Sequence, residues 1–193
     1  IATNDILTLF VDNASTASSS VAVTKYDGTG SATGIKLFAR HLTIGSEDNQ
    51  TLTNTDLSQY DNSVSADADV FHDVVFPGGA SVLTVDANNV FADEELYVLT
   101  SNTYAPGGNF NTHDLELETS TSTLTLAANT GKVQGSWDNN ADFNSDTGTI
   151  TFTATSTTAT IDSTGSTDFN FYNITFGEAT GTATWNLSSA LVS

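Results

Sequence analysis

From residue 115 onward the chain alternates apolar and polar positions in short extended units. Leu115-Glu-Leu117, Leu124-Thr-Leu126 and Lys132-Val-Gln134 are followed by Thr149-Ile-Thr-Phe-Thr153, Ala159-Thr-Ile161, Ile174-Thr-Phe176 and Ala183-Thr-Trp185. Apolar residues two apart, with a polar residue between them, give the period of a half-buried strand; a helix would need a spacing of three or four. The strand centres step by roughly nine residues and fall in threes, which predicts a coiled stack of strands. Leu115, Leu124 and Val133 make three sides of one coil. Phe143, Ile150 and Ala159-Thr-Ile161 make the next, and Ile174, Ala183-Thr-Trp185 and Leu191 a third, at roughly 26 to 33 residues per coil. In Thr149-Ile-Thr-Phe-Thr-Ala-Thr155 the inward row is Ile150, Phe152 and Ala154, and the outward row is threonine.

The first half is patterned more loosely. Ile6-Leu-Thr-Leu-Phe10, Val21-Ala-Val23, Ile35 to Phe38 and His41-Leu-Thr-Ile44 read as strands. Residues 93–99 come nearest to a helix, but Leu96-Tyr-Val-Leu99 suits a strand as well. The chain therefore divides into a loosely patterned β region over 1–79, with a polar insertion at 46–69, and solenoid coils over 80–193. The two halves are either separate units or one continuous domain. The insertion is expected to project from the stack as a long loop.

Composition narrows the function classes. Among 193 residues there are 23 acidic and 4 basic ones (Lys25, Lys36, Arg40, Lys132), a formal charge of -19. That excludes binding to nucleic acid, which needs clustered lysine or arginine. Cysteine is absent, so there is no disulfide framework and no thiolate chemistry. Methionine is absent too, position 1 included, which points to a processed or excised piece of a longer product. No apolar run is long enough to insert into a bilayer.

Gly135-Ser-Trp137-Asp-Asn-Asn140, Phe143, Thr147-Gly-Thr-Ile-Thr-Phe152 and Phe171-Tyr-Asn-Ile-Thr-Phe176 together resemble a repeat of large prokaryotic secreted and cell-surface proteins. The resemblance covers about residues 110–193 and departs at Ala141, where those repeats carry a turn glycine. It implies a right-handed parallel β-helix displayed outside the cell, and no single activity.

Several constellations offer chemistry. Asp142, Asn144 and Asp146 alternate in a loop closed by Gly148, the hard oxygen ligands that calcium prefers; the competing reading is a polar turn between coils. Asp67, Asp69 and Asp73 form a weaker set of the same kind. Thr123-x-Thr125, Thr151-x-Thr153 and Thr182-x-Thr184 are expected on one side of successive coils, a flat array of the sort that binds ice. Trp137, Trp185, Phe143, Phe152 and Phe176 fall at inward positions and read as core, while Tyr172 is the exposed ring. Glu116 and Glu118 point outward beside Leu115 and Leu117, a solvated face as readily as a catalytic pair. His41, His72 and His113 are scattered. His72-Asp73 and His113-Asp114 are sequence neighbours that a strand would turn to opposite faces. No nucleophile elbow, metalloprotease helix or phosphate loop occurs, so the chain reads as non-enzymatic.

The expectation is an all-β, right-handed parallel β-helix or β-solenoid with an irregular, loop-rich N-terminal part, located at the cell surface or outside the cell. Its expected job is structural, as a stalk or adhesin segment or as a filament subunit pairing with copies of itself or with neighbouring repeats. Ile6, Leu7, Leu9 and Phe10 at one end, and Leu191 and Val192 at the other, are the expected assembly edges. Calcium is the one expected cofactor. A carbohydrate- or ice-binding module and a polysaccharide-degrading β-helix enzyme are the alternatives, with glycans as partners in both sugar readings.

Overall fold

The computed structural model describes residues 1–15, 18–45, 49–59, 70, 76, 77, 79–85, 95–154, 158–165, 170–177 and 183–188. The chain is a parallel β-solenoid of about six turns. Its elements are β1 (Ile6–Phe10), β2 (Ser20–Lys25), β3 (His41–Ile44), β4 (Thr51–Leu52), α1 (Asn54–Leu57), β5 (Val82–Thr84), β6 (Glu95–Val98), β7 (Thr103–Tyr104), β8 (Asn109–Thr112), β9 (Asp114–Leu117), β10 (Thr123–Thr125), β11 (Thr130–Val133), β12 (Trp137–Asn139), β13 (Asp142–Asn144), β14 (Thr149–Phe152), β15 (Thr158–Asp162), β16 (Asn173–Phe176) and β17 (Thr184–Leu187).

Three sheets wall the coil. The long one runs β1-β2-β3-β6-β9-β12-β15-β17, the second β4-β7-β10-β13 and the third β5-β8-β11-β14-β16. Pairing is parallel throughout except between β1 and β2, which are antiparallel. The long sheet passes directly from β3 to β6, so the two sequence halves share one wall. Within the expected insertion, 49–59 are built into the stack: Gln50, Leu52, Asn54 and Leu57 are buried there. Thr53 caps the single turn of α1 in a capping box with Asp56, a T-x-x-D signal legible in the sequence.

Each wall contributes a column of inward side chains. Leu42, Leu96, Leu115, Trp137 and Ile161 stack along the long sheet. Tyr104, Leu124 and Phe143 stack along the second. Phe110, Gly131, Ile150 and Ile174 stack along the third. Gly131 is required by close approach: a Cβ there would collide with the Phe110 ring and the Ile150 side chain. Trp137, Phe143, Phe152 and Phe171 pack ring against ring at centroid distances of 5.0 to 6.2 Å. These columns merge into one core, worth roughly 2 to 5 kcal/mol for each buried leucine truncated to alanine.

The first predicted coil holds, since Leu115, Leu124 and Val133 fall on the three walls of one turn. The next two are out of phase. Trp137 opens the second turn on β12, with Phe143 and Ile150 completing it, and Ala159 and Ile161 begin the third. The stacked pairs Leu96–Leu115, Leu115–Trp137, Trp137–Ile161 and Ala159–Trp185 lie 19, 22, 24 and 26 positions apart, so the first three of these coils are shorter than the pattern suggested and the last meets its lower bound. The cause is Trp137-Asp-Asn139, a strand with an asparagine at its second inward position, which breaks the apolar alternation without breaking the pleat.

Candidate functional site on the outer face of the long sheet

The outward positions of the long sheet collect titratable groups. Parallel register sets His41 beside Glu95 and Thr43 beside Tyr97. Glu95 then lies beside Asp114 and Tyr97 beside Glu116, Glu116 beside Asp138, and Asp138 beside Asp162. Neighbouring strands are about 4.8 Å apart, so the acids of one column sit within strong coulombic reach of each other. Each strand alone offers only one or two outward acids. Stacking makes them a cluster.

His41 faces two acceptors. Its Nδ1 lies 2.7 Å from the Ala39 carbonyl oxygen and its Nε2 2.8 Å from Glu95 Oε2. A neutral imidazole carries one N–H, so satisfying both contacts takes the imidazolium. Burial pulls the His41 pKa down, but the Glu95 carboxylate and the Ala39 carbonyl outweigh it and the net shift is upward. Glu116 is pushed up to about 7, first by burial and then by the charge and hydrogen bond of Glu95, with Asp138 adding to it. Glu116 thus holds its proton towards neutrality, because like-charged carboxyls set close together cannot all ionise cheaply. Tyr97 hydrogen-bonds to Glu116 and Glu118, and burial followed by those charges raises its pKa. Asp138 is raised by burial and by Asp162.

Glu118 closes the cluster at the other side. Burial would raise it, but Lys36 and Thr100 hold it down to about 2. Lys36 Nζ donates to Glu118 Oε1 at 2.6 Å, while the Thr100 backbone N–H and hydroxyl each donate to Oε2 at 2.7 Å. Lys36 belongs to the connection between β2 and β3, which crosses the outer face at this point. Phe38 on the same connection packs against Tyr97 at 5.2 Å and against the His41 ring at 5.5 Å. Its carbonyl accepts from Ser20 Oγ.

The expected sites are placed as follows. Asp142 and Asn144 are the exposed ends of β13, with Phe143 buried between them. Asp146 follows in a turn at φ 46°, and its N–H donates to Asn144 Oδ1 at 3.2 Å. This is the polar-turn geometry that competes with the calcium reading, and among the described residues no group of three or more acids or histidines is arranged to hold a metal. Asp67, Asp69, His72 and Asp73 lie outside the described residues. Ile6, Leu7, Leu9 and Phe10 form β1, the outermost strand at the N-terminal edge of the long sheet. Ile6 and Phe10 pack on the core, and Leu7 and Leu9 lie beside Thr24 and Ala22 on the other face. Leu191 and Val192 lie outside the described residues; the C-terminal edge strand that is described is β17.

Three expectations are corrected. Thr123 and Thr125 lie on the second sheet, Thr151 on the third and Thr184 on the long one, so they do not form one face. The phase slip at Trp137 is the reason. His113 and Asp114 are not turned apart: His113 Nδ1 is 3.0 Å from Asp114 Oδ2, because they meet at the corner between β8 and β9 where alternation lapses. Glu116 and Glu118 are part of a bonded cluster and not merely a solvated face. The aromatic assignment holds for Trp137, Phe143 and Phe152 at 0 to 2% exposure and for Tyr172 at 61%, but Phe176, expected in the core, is 46% exposed and Trp185 is only partly buried.

No family model, no curated protein and no solved structure matches this chain.

Proposed function

We propose that this chain is a non-catalytic structural β-solenoid of a secreted or cell-surface protein, extended by stacking of further coils on its C-terminal end. The observation that carries this reading is the state of the last coil. Phe176 continues the Val133–Phe152 column and Leu187 stacks on Ile161, yet they are 46% and 52% exposed. Ile174 and Trp185, in the same inward rows, are only partly buried. Among the described residues no further layer covers these core positions, and β17 is the outermost strand of the long sheet. An edge strand with apolar inward residues is a template for another strand. The resemblance of 110–193 to surface-protein repeats and the strong negative charge support the same reading.

The polysaccharide-cleaving alternative draws on Glu116, whose proton is exchangeable near neutrality. Retaining glycosidases hold their two carboxyls about 5 Å apart. Glu95 and Glu116 instead hydrogen-bond directly to each other, and Lys36 and Phe38 lie against the same cluster. The structural reading is therefore preferred.

The test is sedimentation velocity and electron microscopy of the purified chain, with calcium and with chelator. Rods or filaments that Phe176→Glu and Leu187→Glu return to monomers are the expected result. Loss of the filaments in chelator would assign a structural calcium to Asp142, Asn144 and Asp146. A monodisperse monomer at high concentration, with no binding of a hydrophobic dye, overturns the proposal.

A further inference from the structure

The connection between β2 and β3, residues 26–40, behaves geometrically as a strap. It leaves the long sheet after Lys25, crosses the sheet's outer face, and returns at His41. Beneath it the outward positions of β2 and β3 are closed off: Ala22 and Thr43 are 1% and 0% exposed although the pleat turns both away from the core. The strap is fastened at its two ends by backbone bonds: Tyr26 N–H donates to the Asp5 carbonyl, Arg40 N–H donates to the Ser19 carbonyl, and the Arg40 carbonyl accepts from Glu95 N–H. Between those ends Phe38 lies against Tyr97 and His41, Lys36 reaches Glu118, the Phe38 carbonyl takes Ser20 Oγ, and the Ala39 carbonyl takes His41 Nδ1. Under it the Thr43 hydroxyl is buried without a hydrogen-bond partner, and such a group opposes the closed state because it would regain a partner in water.

We propose that residues 26–40 form a proton-gated strap, closed while His41 is an imidazolium bridging the Ala39 carbonyl and Glu95, and lifted from the sheet when that bridge loses its proton. The reason is the donor count. Neutral His41 cannot donate to both the Ala39 carbonyl and the Glu95 carboxylate, so one contact becomes lone pair against lone pair. Glu95 is fixed on β6, and Arg40 is bonded to Ser19 on one side and to the Glu95 N–H on the other, so the strap before Arg40, from Ala39 back, is the side that yields. Phe38, resting on the same ring, goes with it.

The groups facing this bridge make it responsive. From β6 come Glu95 and Tyr97, from β9 Asp114 and Glu116 with Glu118 just after it, from β12 Asp138, and Asp162 of β15 stands beyond it. The strap brings Lys36 and Arg40 as its cations. Glu116 carries a proton in acid and gives it up near neutrality, so the field around His41 grows more negative as the pH rises and favours the imidazolium. The Lys36–Glu118 ion pair is the tether about which the strap turns.

Amide hydrogen exchange over 26–45, corrected for its intrinsic pH dependence, tests the idea. Protection is expected to fall at least tenfold between pH 6 and pH 9, with the inward strands β9 and β12 unchanged. His41→Gln, which cannot be protonated, should show the low-protection state at both pH values. Lys36→Met should lower protection without removing its pH dependence. An imidazole NMR titration of the unmodified chain guards against a variant that misfolds, since His41 must titrate with the same midpoint as the exchange. Equal protection at both pH values, or a midpoint unrelated to His41, overturns the proposal. These readouts are made on the monomeric Leu187→Glu chain as well, so they do not depend on the assembly reading.

Discussion

Among the described residues, the inward side chains of the N-terminal coils are covered, whereas Phe176 and Leu187 on the last described strands are about half exposed. Across the first end lies β1, which reverses direction against β2 and lays Ile6 and Phe10 over the core. Leu52, Leu57, Val70 and Phe76 fill the same end at 0 to 6% exposure. α1 is pinned there by Asn54, whose side-chain oxygen accepts from the Tyr104 hydroxyl at 2.6 Å and whose amide donates to the Asn109 carbonyl at 2.9 Å. The second end has a parallel edge strand, β17, and inward residues in the open. An antiparallel strand and a capped turn spoil the repeat, so nothing of the same register can be added there. A parallel edge preserves it.

The largest test of that difference is core truncation. Leu42→Ala, at a fully buried position near the closed end, should cost about 2 to 5 kcal/mol in urea unfolding. Leu187→Ala, half exposed at the open end, should cost under about 1 kcal/mol in the monomer, because most of its surface is already in water. Equal losses at the two positions would mean that the open end is buried in solution, and dilution would then expose a concentration-dependent unfolding midpoint. Smaller, and confined to the closed end, is the effect of Asn54→Ala. It leaves the buried Tyr104 hydroxyl without its partner, for about 1 to 3 kcal/mol. A loss no larger than for an exposed asparagine would show that α1 does not seal the end.

The smallest effect is a pH dependence from the strap side of the molecule. Glu116 has a folded pKa near 7 against an ordinary value of 4.5, so the folded chain binds more protons than the unfolded chain between these values. Stability therefore falls as pH rises from about 4.5 to 7. His41 is also raised, from 6.5, so its contribution is complete in acid and lost as pH climbs through its folded value. Glu118 acts in the opposite direction. Held down to about 2, it adds stability above pH 4.5 that disappears as the solution is acidified towards 2. A melting-temperature maximum near pH 4.5 is the expected outcome. Glu116→Gln should flatten the alkaline limb only, and an unchanged alkaline limb would remove Glu116 from the account.

Much of the architecture was legible in residues two apart. Leu115 and Leu117, Ile150 and Phe152, and Ala159 and Ile161 announce strands with one buried face, because only a pleat turns alternate side chains to one side. The first full coil follows from their spacing. Trp137-Asp-Asn139 was misread because Asn139 is buried at an inward position where the pattern needs an apolar residue, and every coil after it was counted from the wrong strand. The threonine row fell with that count.

The cluster on the outer face could not be found from sequence. His41, Glu95, Glu116 and Asp138 are separated by tens of residues, and the spacing between them follows no constant period because the turn between β4 and β5 is long while later turns are short. What the sequence by itself determined is the alternation, and with it strands, a core face and an acidic exterior. Register, and so which acid meets which, was decided only by the tertiary stack, because backbone hydrogen bonds align strands by the lengths of the loops between them. The same holds for the two ends: the apolar character of Ile6-Leu-Thr-Leu-Phe10 was visible, but its antiparallel direction, which turns an edge into a lid, arises from how the chain folds back on β2.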